Sequence, residues 1–241
     1  MKQWYSIIRP SYKPSVVAYE LRRAEFDMNN EILLSHRVRI DYVFFGDSIT
    51  HYWELQTYFG RNRAIVVNRG IGGDSTKHGL HRFQADVVQL NPRYVVIAIG
   101  INDTILLDDW IREGSADPVR LTSMRECIVD GNRELIRISR ENGIEPIVCS
   151  LMPSGVERFG WEFRNPLIME ANNKLEQLAG ELGIIYIDYH AAMCGPDGKT
   201  LRSEYTYDGI HPNVDGYDIM AETLRRTLAE HGIRIHSTNR L

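Results

Sequence analysis

The chain has 241 residues, 43% of them hydrophobic, which is enough to build one continuous core. Its formal charge of -4, with 28 Lys and Arg against 32 Asp and Glu and no basic block, argues against a nucleic-acid surface, because phosphate recognition needs a clustered basic excess. Three widely spaced cysteines, Cys127, Cys149 and Cys194, supply neither a disulfide framework nor a metal-ligand pair and are expected as reduced core thiols.

Residues 1–39 read as an irregular arm followed by a helix over roughly Ser15 to Ser35, an extension of the domain formed by 40–241. The run Met1 to Pro10 lacks an apolar core and a small-residue cleavage site, and no later apolar run approaches membrane-spanning length, so a cytoplasmic protein without a membrane partner is expected. The pairs Arg22-Arg23 and Arg225-Arg226 read as solvated helix faces.

Five compact apolar runs follow, with little alternation: Ile40 to Phe45, Ala64 to Val67, Tyr94 to Ile99, Pro146 to Leu151 and Ile184 to Ile187. Such runs suit strands buried on both faces of a parallel sheet. Between and after them lie helical segments at Ser75 to Leu90, roughly Pro118 to Asn142, Asn165 to Leu182 and Asn213 to His231, several opened by Asn, Asp or Pro. Asn142-Gly143 and Leu182-Gly183 put a glycine where a left-handed helix cap is wanted. The alternation predicts a single three-layer α/β/α domain with a five-stranded parallel sheet, whose ligands bind outside the carboxyl ends of the strands.

Four motifs fall on that edge. Phe45-Gly46-Asp47-Ser48-Ile49 follows the first strand, Gly70-Ile71-Gly72-Gly73-Asp74 the second and Gly100-Ile101-Asn102-Asp103 the third. Tyr207-Asp208-Gly209-Ile210-His211-Pro212 precedes the last helix. A serine hydroxyl needs a base within hydrogen-bond reach, and that base needs a third group to hold its tautomer. Ser48, His211 and Asp208 meet those needs as nucleophile, base and orienting carboxylate. Each motif alone has a plainer reading: Gly-Asp-Ser after a strand serves as a turn and helix cap, and Gly72 and Asn102 serve in turns. Asp47, Asp74 and Asp103 are read as loop braces. His78 and His81 form a His-x-x-His pair with no third ligand in view, so no metal is expected.

In order and spacing the four blocks resemble the SGNH (GDSL-type) hydrolases over roughly Ile40 to His231, closest to the platelet-activating-factor acetylhydrolase-like and carbohydrate acetylesterase branches. The resemblance implies a flavodoxin-like sheet and a cofactor-independent serine esterase. In it Ser48 attacks an ester carbonyl, His211 relays the proton and Asp208 holds the imidazole. It also implies an oxyanion hole made of the backbone N–H groups of Ser48 and Gly73 and the side-chain amide of Asn102. Leu107-Asp108-Asp109-Trp110 and Phe159-Gly160-Trp161-Glu162-Phe163-Arg164 are read as aromatic loops, with Tyr205 and Tyr207 just before the base. Trp110, Trp161 and Tyr207 are the expected substrate-binding residues, since rings beside a polar edge suit a sugar or a short acyl pocket.

A short-chain ester, acetyl leading, of a carbohydrate or other small alcohol is therefore the expected small-molecule substrate, and homo-oligomer formation stays open. A lysophospholipase- or thioesterase-type acyl hydrolase and a catalytically silent small-ligand-binding module are the alternatives. An α/β-hydrolase is excluded because no Gly-x-Ser-x-Gly elbow occurs. A phosphate-binding flavodoxin-like or receiver module would leave Asp208 and His211 without a purpose.

Overall fold

The computed structural model describes residues 17–60, 64–158 and 160–235. The expected N-terminal arm, Phe159 and residues 236–241 lie outside them. Among the described residues, β1 (Tyr42–Gly46), β2 (Val66–Gly70), β3 (Tyr94–Ala98), β4 (Glu145–Cys149) and β5 (Ile185–Ile187) pair in parallel. Their order is β2-β1-β3-β4-β5, the flavodoxin-like arrangement with its switch point between β1 and β3.

Alternate side chains enter two separate cores. Tyr42, Phe44, Val66, Tyr94, Val96 and Ile147 face one, and Val43, Phe45, Val67, Val95, Ile97 and Val148 face the other. The first core is closed by the short helices α2 (Ser48–His51) and α3 (Leu55–Phe59) and the later α8 (Tyr189–Met193) and α9 (Val214–Glu230). Burial on both faces explains why the strands read as unbroken apolar runs.

The remaining helices are α1 (Val17–Ser35), α4 (Thr76–Asp86), α5 (Leu106–Arg112), α6 (Pro118–Glu141), α7 (Trp161–Leu182), α8 (Tyr189–Met193) and α9 (Val214–Glu230). Several differ from the sequence reading for local reasons. β2 runs on through Asn68-Arg69-Gly70 because Asn68 satisfies its own neighbourhood, taking the Gly70 N–H at 2.8 Å and donating to Thr50 O at 2.7 Å. The helix expected to reach Leu90 breaks at Val87 and continues as a 3-10 turn at Val88–Leu90. α7 starts at Trp161, and Asn165 turns inward to clasp Ser154, accepting its N–H at 2.8 Å and donating to its carbonyl at 2.9 Å. The segment read as an aromatic loop at Leu107 to Trp110 lies within α5.

Two composition readings are corrected as well. Cys149 and Cys194 are core thiols, but Cys127 is exposed on α6. Arg23 is not on a solvated face: it is 5% exposed and paired to Asp86 and Asp27, tying α1 to α4. Arg22 lies over the Phe26 ring.

The register sets the site. Gly46 is level with both Gly70 and Ala98, so the loops leaving β1, β2 and β3 start side by side. Arg82 of α4, fully buried, fixes their relative placement. It donates to Gly46 O at 2.9 Å, to Arg69 O at 2.9 Å, to the Asp74 carboxylate at 2.7 Å and to the Asp86 carboxylate at 2.8 Å. Its guanidinium also stacks over Phe45, 4.1 Å from the ring centroid. Replacing Arg82 by Leu strips two buried carboxylates of the cation between them, which typically costs about 3–5 kcal/mol. The urea-unfolding midpoint of Arg82→Leu should drop accordingly, and an unchanged midpoint would show that the network is dispensable.

Candidate active site

Ser48 opens α2 directly after β1. Asp47 caps that helix, its carboxylate accepting the Ile49 N–H at 2.9 Å, so the sharp strand-to-helix turn leaves Ser48 facing the sheet edge. The hydroxyl of Ser48 donates to His211 Nε2 at 2.9 Å, and His211 Nδ1 donates to Asp208 at 2.7 Å. The Asp208 contact fixes the tautomer: the proton sits on Nδ1, leaving the Nε2 lone pair to face the serine.

The loop carrying the last two residues is tightly bound. The Thr206 hydroxyl donates to His211 O at 2.9 Å and accepts the Gly209 N–H at 3.0 Å, while Gly155 donates to Gly209 O at 2.7 Å from the loop after β4. Asp208 accepts the backbone N–H groups of Ile210 at 3.0 Å and His211 at 2.8 Å, in addition to the ring. Burial raises the Asp208 pKa, but the N–H and ring of His211 and the Ile210 N–H outweigh it and hold the carboxyl below the usual carboxylate range. A further contact joins the two halves: Tyr217 of α9 donates to Ile49 O at 2.8 Å. The helix that follows His211 is thereby bonded to the helix that carries Ser48.

The glycine block forms a turn in which Asp74 N donates to Ile71 O at 3.2 Å, and Gly73 occupies its third position at φ +79, a conformation that favours glycine. Gly70, one turn earlier, lies so near α2 that a Cβ there would stand 2.2 Å from His51 N. Asn102, half-buried in the 3-10 turn Ile101–Thr104, donates one amide N–H to Asp74 O at 2.9 Å. An amide has two N–H groups, and the other is left for a ligand. The three aspartates expected as braces behave so: Asp47 caps α2, Asp74 binds Arg82, and Asp103 accepts from the Thr76 N–H at 2.9 Å and hydroxyl at 2.6 Å.

The three expected substrate-binding aromatics are placed differently from one another. Tyr207 stands in the base loop, 75% exposed, with its N–H on His211 O. Trp110 is part of α5, packed against the core with Arg120 5.4 Å from its ring. Trp161 is the half-buried first residue of α7. His78 and His81 lie on α4, and among the described residues no three His, Cys, Asp or Glu side chains are grouped to hold a metal ion.

Two neighbours of the triad were not singled out in the sequence. Tyr52 sits edge-on to His211 with centroids 5.5 Å apart, and His51 stacks on Tyr52 at 5.1 Å and accepts the Gly72 N–H on Nδ1 at 3.2 Å. The available signal was their spacing, three and four residues after Ser48 across one helical turn.

The chain is similar to several known proteins. The chain is 28% identical over 188 residues to the uncharacterized lipoprotein YqeF of Bacillus subtilis, covering 72% of this chain and 65% of the relative, so it spans a little under two thirds of that protein's length. It is 25% identical over 186 residues to an acetylxylan esterase of Geobacillus stearothermophilus, covering 75% and 79% of the two chains. To the platelet-activating factor acetylhydrolase IB subunit alpha1 of Bos taurus it is 26% identical over 196 residues, covering 77% and 74%. Among solved structures, a GDSL-like lipase from Bacteroides thetaiotaomicron superposes with a TM-score of 0.68 at 27% identity, covering 86% of this chain and 97% of that one. The profile of the GDSL-like lipase/acylhydrolase family matches residues 44–219, from within β1 into α9, and the chain belongs to that family.

Proposed function

We propose that the protein is a serine esterase that cleaves a short-chain acyl ester, acetyl foremost, of a carbohydrate or other small alcohol through an acyl-enzyme. The observation that carries this reading is the unbroken hydrogen-bond relay from Ser48 through His211 to Asp208, at 2.9 and 2.7 Å.

In the first half-reaction Ser48 Oγ bonds to the ester carbonyl carbon as His211 Nε2 takes the hydroxyl proton. The negative charge on the carbonyl oxygen is met by the N–H groups of Ser48 and Gly73 and the second amide N–H of Asn102. Collapse of the tetrahedral adduct breaks the bond to the alcohol oxygen, which leaves with the proton from His211. Water then repeats the sequence on the acyl-serine and releases the carboxylic acid. Asp208 stabilises the imidazolium in both halves without accepting its proton. Losing one oxyanion donor costs about 10²–10³ in turnover.

The acetyl preference is supported by the names of two relatives, acetylxylan esterase and acetylhydrolase. Tyr52 and Tyr207, 59% and 75% exposed beside the base, suit stacking on a sugar ring. A larger acyl group is the second reading, favoured by Ile105, Leu106, Val156 and Phe163, which are also exposed.

A fluorophosphonate probe should label the protein, and Ser48→Ala should abolish labelling without loss of folding; persistent labelling of that variant would remove Ser48 from the chemistry. Across p-nitrophenyl esters from acetate to palmitate, kcat/KM should peak at the shortest acyl chains, whereas a maximum at long chains would favour the second reading. The pH profile follows from the depressed Asp208 pKa. That carboxylate is charged above the usual carboxylate range and keeps its charge until the pH falls through its lowered folded value. Protonation of Asp208 should therefore impair kcat only below the usual carboxylate range. An Asp208 carboxyl carbon signal that titrates by NMR at or above the ordinary carboxylate pH would contradict this.

A further inference from the structure

We propose that His51 is a positioning residue for this chemistry: by accepting the Gly72 N–H it ties the near flank of the glycine turn to the helix that carries Ser48, and so sets where the Gly73 N–H stands relative to the nucleophile. The inference rests on the esterase reading and on Gly73 as a donor.

The turn Ile71-Gly72-Gly73-Asp74 has glycine at both central positions, so no side chain of its own braces it against its neighbours. A donor that drifts is not preorganised, so whatever clamps the flanking peptides fixes the place of the turn relative to the nucleophile. On the C-terminal side the clamps are Asp74 N on Ile71 O at 3.2 Å, the Asn102 amide on Asp74 O at 2.9 Å and Arg82 on the Asp74 carboxylate at 2.7 Å. On the N-terminal side the Gly72 N–H is held by His51 Nδ1 at 3.2 Å.

His51 suits the task. It is the last residue of α2, so the acceptor is rigidly linked to the nucleophile three residues earlier. Its ring stacks on Tyr52 at 5.1 Å, and Tyr52 in turn meets His211 edge-on. Only the neutral imidazole can accept on Nδ1, and burial together with the Arg22 guanidinium, against Glu25, lowers its pKa from the usual histidine value. Space above the turn is open as well: a Cβ on Gly73 would meet nothing within 4 Å, and one on Gly72 would stand 3.9 Å from Ser48 Cβ.

Two substitutions separate the acceptor from the ring. His51→Asn keeps a carbonyl oxygen close to the position of Nδ1 but removes the ring, whereas His51→Phe keeps a ring to stack on Tyr52 but removes the acceptor. Both are compared with the unaltered protein for p-nitrophenyl acetate hydrolysis and thermal unfolding. His51→Phe should lose about tenfold to a hundredfold in kcat, less than outright loss of a donor, with KM and Tm near those of the unaltered protein; His51→Asn should keep most of kcat. Unaltered kcat in His51→Phe overturns the proposal, and so does a parallel fall of kcat and Tm in both variants, which would mean that the ring merely packs. If the unaltered protein shows no Ser48-dependent hydrolysis, the esterase reading itself fails and takes this inference with it.

Discussion

The site depends first on one buried cation. The four acceptors of Arg82 diverge: the end of β1, the end of β2, the glycine turn and its own helix. A planar guanidinium with five donors can satisfy such a set at once, and a lysine ammonium on a flexible stem cannot match that fork. The consequence is local and chemical. Gly46 lies two residues before Ser48, and Arg69 and Asp74 bracket the glycine turn, so the spacing between Ser48 and that turn is set from beneath. Arg23 extends the same network through Asp86 into α1. The first described helix is therefore built into the ionic layer under the site rather than appended to the fold.

A second constraint brings in the base. Ser48 and His211 are 163 residues apart in the chain yet 2.9 Å apart in space. A parallel sheet achieves this by delivering each strand's carboxyl end to one edge, but the sheet alone only brings the loops into the same region. The final ångströms come from specific polar contacts: Tyr217 on Ile49 O, the Thr206 hydroxyl inside the base loop, and Gly155 on Gly209 O. Each lies just outside the residues that react.

That division explains what could be read from the sequence. The strands were legible because burial on both faces forces continuous apolar runs, and the four motifs were legible because turn and cap residues cluster at strand ends. Ser48, His211 and Asp208 fall together as the chemistry required. Arg82 was not singled out, although Arg82 and Asp86 are four apart on one face of α4, with Asp74 just before its cap; a buried charge shows itself only when its burial is known. Arg23 was misread as solvated for the same reason. Helix α5 was missed because Leu107-Asp108-Asp109-Trp110 has the composition of a surface loop, and its placement is decided by Arg164 of α7, which donates to Thr104 Oγ1 at 3.0 Å and pairs with Asp108. Long-range polar contacts of this kind leave no periodicity behind.

The carboxylates around the site are sorted by environment, and the sorting bears on mechanism. Asp47, Asp74 and Asp103 lie below the reacting edge. Burial pushes Asp47 up to about 7 against the Ile49 N–H, and it raises Asp103 against the hydrogen bonds from Thr76 and Asp74 against Arg82. Groups whose charge is so expensive serve best as fixed acceptors for neighbouring N–H and O–H groups, which is what their contacts show. Asp208 is partly exposed, and hydrogen bonds from its own loop pull its pKa the other way. It alone among these four combines secure ionisation with contact to an imidazole ring. The carboxylate in contact with an imidazole has been kept near water and wrapped in N–H donors, while those that shape the loops have been buried.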